Sequence, residues 1–136
     1  MRFMIIVKAT SDSEAGILPS QELFDAMRDY NQELARAGVL LEANGLRPSR
    51  DGWRIRYHEG RRAFTDGPFA ESKELVAGYT LIQVRSREEA MEWSRRFPAP
   101  HGEFADAEIE VRPLYELEDL RTLCAANHAT AGKEAP

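Results

Sequence analysis

The chain has 136 residues, enough for one domain, and its 43% hydrophobic and 30% charged content is an ordinary globular balance. Its net charge of −5, with scattered basic residues, argues against nucleic-acid binding, which shows a concentrated basic footprint. A single cysteine, Cys124, excludes an internal disulfide and a cysteine-based zinc cluster, and reads as an incidental thiol. No apolar run approaches the roughly 20 residues that cross a bilayer. The opening run Phe3–Val7 is strand-sized and lacks the features of a signal peptide, so a cytoplasmic location with no membrane partner is expected.

Residues 2–8 read as a strand with Phe3, Ile5 and Val7 on one face and Met4 and Ile6 on the other. Pro19-Ser20 leads into a helix over 21–37, where Leu23, Met27, Tyr30 and Leu34 recur at helical spacing. Gly38 stands where a left-handed residue ends a helix, and Val39–Ala43 reads as a second strand. Trp53–His58 and Arg61–Asp66 form a hairpin around Glu59-Gly60. A two-residue loop pairs His58 with Arg61, Tyr57 with Arg62, Ile55 with Phe64, and Trp53 with Asp66. Trp53, Ile55, Tyr57, Phe64 and Asp66 then share a face, and Arg54, Arg56 and His58 take the other.

Val76–Val84 is the longest strand, with Leu81 facing away from Ile82 and Val84. Ser86-Arg87-Glu88-Glu89 matches a capping box, and the helix it opens ends near Phe97, before Pro98 and Pro100. Glu108–Leu114 is the last core strand, with Ile109 and Val111 on one face. Residues 1–115 form the expected domain. Residues 116–136 are expected to hold a short helix carrying Leu117, Leu120 and Leu123, then a frayed tail.

This order gives an α+β fold: a ferredoxin-like split βαβ unit with an inserted hairpin, an antiparallel sheet, and two helices on one face. The first strand has apolar side chains on both faces, so a second cover is required. Sheet-to-sheet packing in a homodimer supplies it; a monomer whose C-terminal segment crosses the open face is the alternative.

The run Asp66-Gly67-Pro68-Phe69-Ala70-Glu71-Ser72-Lys73-Glu74 resembles the defining motif of the DGPF branch of the YCII-related family. Ala37-Gly38-Val39-Leu40 with Asn44-Gly45-Leu46, Val76-Ala77-Gly78-Tyr79, and Glu110-Val111-Arg112-Pro113 resemble its flanking segments, so the likeness spans residues 2–115. It implies a dimeric α+β barrel. Some members of the wider family are credited with lyase-like chemistry on ring compounds through a His–Asp pair whose histidine lies in the first-helix region. Residues 19–37 hold no histidine, so that pair does not carry over. Proteins of this branch also resemble accessory proteins of sigma-factor regulation. A non-catalytic, ligand-sensing role with a regulatory protein partner is therefore the second expectation.

Pro68 forbids a ladder donor, and Gly67 permits a backbone approach that a Cβ would block. Asp66, beside Trp53, either accepts turn N–H groups or lines a ligand cleft, where it could act as a base with Tyr79 or His101 as second proton carrier. Gly67 and Pro68 themselves, with Phe69, Glu71, Lys73, Glu42, Arg112 and Trp53, are the further candidates for ligand binding. Glu71 and Lys73 are otherwise a solvated charge run, Tyr79 a core residue, Glu42 a water-facing edge residue and Arg112 a surface cation. His58 reads as surface and His128 as tail. Three histidines with no close pairing give no metal signature, and no cofactor is expected.

Overall fold

The computed structural model describes residues 1–70 and 74–134, with side chains as far as residue 128. Six strands are present among the described residues: β1 (Arg2–Lys8), β2 (Leu40–Gly45), β3 (Trp53–His58), β4 (Arg61–Asp66), β5 (Val76–Gln83) and β6 (Ile109–Pro113). Four helices accompany them: α1 (Ser11–Glu14), α2 (Gln21–Arg36), α3 (Arg87–Arg95) and α4 (Leu117–Glu134). A 3-10 turn occupies Ser49–Asp51. Strands β2-β5-β1-β6, in that order, make an antiparallel sheet, and β3-β4 stand apart as a two-stranded hairpin. The fold is α+β, a split βαβ unit with the hairpin inserted between β2 and β5.

Each end of α2 is legible in its residues. Ser20 caps the start by accepting the Leu23 N–H at 3.2 Å. At the other end Gly38 adopts φ +74°, and two bonds close the turn: Gly38 N–H to Ala35 carbonyl and Val39 N–H to Leu34 carbonyl, both 3.0 Å. Ser86 caps α3 by accepting the Glu89 N–H at 3.1 Å, while the Glu89 carboxylate reaches back one residue further than a capping box requires, to the Arg85 N–H at 3.0 Å.

The core lies between the sheet and helices α2 and α3. Phe3, Ile5, Ile82 and Val84 from the sheet meet Tyr30, Leu34 and Ala90 from the helices, and Ile5, Leu34 and Ile82 are fully buried. Tyr30 sits edge-on to Trp93 and Phe97 and donates its hydroxyl to the Trp93 carbonyl at 2.6 Å. Burial pushes that phenol up to about 12. Met4, Ile6 and Leu81 lie on the opposite, open face of the sheet and are half-buried.

Two elements differ from expectation. Helix α1 carries no apolar stripe; a local capping box makes it, with Ser13 N–H donating to Thr10 Oγ1 at 3.2 Å and Thr10 N–H to Ser13 Oγ at 2.8 Å. The C-terminal helix is not short: α4 runs for 18 residues through most of the segment expected to fray. The Leu123–Ala131 stretch is rich in alanine, the strongest helix former, and no proline interrupts it. The start of α4 is tied to β1 by Arg2, whose hydrogen bond holds the Glu116 carboxyl below its ordinary range.

Candidate functional site

The Asp66–Phe69 turn leaves β4 and passes directly over the Ser49–Asp51 turn. A Cβ on Gly67 would lie 1.9 Å from the Ser49 carbonyl oxygen, so only glycine fits this approach. The Gly67 N–H donates to the Gly52 carbonyl at 3.0 Å, and the Phe69 N–H donates to Ser49 Oγ at 3.0 Å. Ser49 in turn is held by Glu14: its N–H donates to Oε1 at 3.0 Å, and its hydroxyl donates to Oε2. The Arg54 guanidinium lies 3.9 Å above the Phe69 ring. Glu14, Ser49 and the Gly67–Phe69 backbone form one junction joining the base of the hairpin to the body.

On the body side of this junction, a cleft of about 790 Å³ opens between the start of α2, the end of β2 and the loop after α3. Ile17, Leu23, Met27 and Phe97 give it apolar walls, and Pro48 and Arg50, flanking Ser49, form part of its rim. Polar and charged side chains line it as well, Asp12, Arg47 and Asp51 among them. Thr80 is buried, and the buried Asn31 Oδ1 has no hydrogen-bond partner among the described residues. His101 Nε2 lies 3.0 Å from the Lys8 carbonyl oxygen. A carbonyl can only accept, so Nε2 carries the hydrogen, and in the neutral ring Nδ1 is the acceptor.

A second polar group sits on the open face of the sheet. The Tyr79 hydroxyl donates to Glu42 Oε1 at 3.0 Å, and Asn44 Nδ2 donates to the same oxygen at 2.7 Å and to the Tyr79 hydroxyl at 3.1 Å. A bulge creates this trio. Leu40 pairs with Ile82 and Glu42 with Leu81, so the extra residue turns Glu42 from the helix side onto the open face. Across the same face Lys8 meets Glu110 at 3.4 Å, and Glu110 meets Arg112 at 3.7 Å.

The proposed acid–base residues are thus distributed over three places. His101 faces the cleft; Tyr79 reaches its wall but commits its hydroxyl to Glu42; Asp66 is exposed at the end of the hairpin and lines no part of the cleft. In the single chain Asp66 is exposed, as is every residue of β3 and β4, Trp53 included. Tyr79 is not a core residue. Gly67, Pro68 and Phe69 belong to the junction; Glu42 and Arg112 share the open face; Glu71 and Lys73 lie outside the described residues. Glu14, Ser49, Asn31 and Thr80 were not singled out by the sequence. A Thr-x-x-Ser cap before Glu14 was the available signal for the first, and nothing local marks the others.

Known proteins resemble this chain in sequence and in structure. A protein of Rhizobium meliloti (strain 1021), described as uncharacterised, is 33% identical over 97 residues, 69% of this chain and 78% of its own. A solved structure, 5-chloro-2-hydroxyhydroquinone dehydrochlorinase from Burkholderia phenoliruptrix AC1100 in complex with 2,5-dihydroxybenzoquinone, is 15% identical with a TM-score of 0.45, covering 88% of this chain and 99% of that one. The YCII-related domain matches residues 1–115, the whole of the sheet with its two packed helices and the hairpin, and the chain therefore belongs to the YCII-related family.

Proposed function

We propose that the protein binds a small, largely apolar organic molecule in the cleft beside α2, and that His101 moves a proton there in cofactor-independent, lyase- or isomerase-like chemistry. The cleft itself carries this reading: about 790 Å³ is within the range of small-molecule sites, and apolar walls combined with polar groups that can orient a ligand are what such sites present. Fixing Nε2 on the Lys8 carbonyl orients the ring and leaves Nδ1 to take a proton from the ligand and return it at another position. Asn31 Oδ1 offers an acceptor to a ligand hydroxyl or amine. The junction acts at one remove, holding the Ser49 turn that shapes the rim. The half-buried open face of the sheet supports a homodimer packed sheet to sheet, with the Glu42–Tyr79–Asn44 trio inside it.

Native mass spectrometry of the purified protein, followed by thermal-shift screening of hydroxylated aromatic and aliphatic compounds, tests the reading. A retained adduct or a stabilising compound should lose its effect in Met27→Trp, which fills the cleft. Turnover of that compound should disappear in His101→Gln while binding persists. Binding that is unchanged by Met27→Trp would place the ligand elsewhere and defeat the proposal. Binding without turnover in the native protein would favour the competing reading, a non-catalytic accessory or ligand-sensing protein of sigma-factor regulation.

A further inference from the structure

The hairpin β3-β4 presents an apolar face made of Trp53, Ile55, Tyr57 and Phe64, and the chain itself leaves that face uncovered: Trp53 is 63% exposed and Phe64 71%. An isolated two-stranded hairpin is marginal in water and needs a third layer. The junction at Gly67 and Ser49 pins the base of this one, so it is held in place without cover. We propose that the hairpin is an arm that docks its apolar face on a second copy of this chain.

Surface area points to a second copy. A compact monomer of 15.4 kDa exposes about 7,200 Å² by the usual mass scaling, whereas this chain exposes 10391 Å². Obligate homodimer interfaces remove about 1,000–2,500 Å² or more from each partner, so burial against a second copy accounts for most of an excess of about 3,000 Å². It is spread over the hairpin and over α4, where Leu117, Leu120 and Leu123 are exposed as well, and a single two-fold operation can bring both into one interface. Charge agrees. The hairpin carries four arginines against Glu59 and Asp66, while the whole chain is at −5, so a basic arm meets an acidic body when one copy approaches another. This goes beyond sheet-to-sheet packing, and the two can fail separately.

The chain has two tryptophans, so Trp93→Phe leaves Trp53 as the sole reporter of the arm. Sedimentation of the native protein at micromolar concentration should give twice 15.4 kDa. Trp53 emission in Trp93→Phe should be shielded from acrylamide and become accessible on dilution. Phe64→Arg, at a site exposed in the single chain and so harmless to its folding, should weaken self-association about 30-fold or more. A dimer in which Trp53 is fully quenchable and Phe64→Arg changes nothing would overturn the arm while leaving the sheet interface standing. A 15.4 kDa particle would overturn both.

Discussion

The body of the molecule and its hairpin follow the same alternating pattern and meet opposite fates. In β1 and β5 every second residue turns toward α2 and α3, and Ile5 and Ile82 vanish from the surface. In β3 and β4 the pairing is equally regular, from Trp53 with Asp66 to His58 with Arg61, yet all twelve residues face solvent. Alternation decides which side chains share a face, and it says nothing of what lies opposite that face. Two helices answer the question for the body; for the arm no described residue of the chain does.

The difference is broken most sharply by truncating one apolar residue in each region. Ile82→Ala removes a fully buried side chain and should cost about 2–5 kcal/mol in urea unfolding, at any protein concentration. Phe64→Ala should cost almost nothing in dilute solution and lose stability only at concentrations where copies meet. Equal, concentration-independent losses at both positions would erase the distinction between body and arm.

The junction between the two regions is the next test. Gly67→Ala drives a methyl into the Ser49 backbone, and since neither partner is a flexible side-chain end, the turn must move, at a cost of about 1–3 kcal/mol or more. Ser49→Ala takes a smaller toll, near the low end of about 1–3 kcal/mol, because the Phe69 N–H and the Glu14 carboxylate that it strands are only partly shielded from water. Both substitutions should also loosen the cleft rim at Pro48 and Arg50, raising the ligand dissociation constant; Thr65→Ala, on the exposed arm, should not.

Much of the fold was legible because its determinants are local. The Glu59-Gly60 loop has φ of +49° and +76°, a two-residue turn whose handedness fits the twist of the strands, and that alone set the hairpin register. Gly38 ended α2 as its position foretold, and Gly67 proved to be the residue whose missing Cβ the structure needs. The candidate site was far less legible. The Glu14–Ser49 contact spans 35 residues with no periodicity to announce it. The bulge at Leu41 shifts Glu42 to the other face by one residue, which neither composition nor alternation records. Alternation puts Asp66 on the apolar face of the hairpin, and it cannot tell whether that face is covered; in the single chain it is exposed.

The smallest expected effect concerns Tyr30, in the body, and it appears only in alkali. Its hydroxyl donates to the Trp93 carbonyl, and its burial disfavours the charged phenolate and raises its proton affinity from an ordinary value near 10 to about 12, with the nearby Arg96 opposing the shift and Glu33 adding to it. The folded state therefore holds this proton more tightly than the unfolded chain does. The resulting stabilisation is complete below pH 10 and drains away as the pH climbs through about 12. Tyr30→Phe removes both the hydrogen bond and the titration, so at neutral pH it should be less stable than the native protein by about 1 kcal/mol. The gap between the two urea midpoints should then close between pH 10 and about 12, as the native protein loses what the variant never had. A gap that stays constant across that window would show that the phenol is open to water, and that the sheet-to-helix core is looser at Trp93 than its packing indicates.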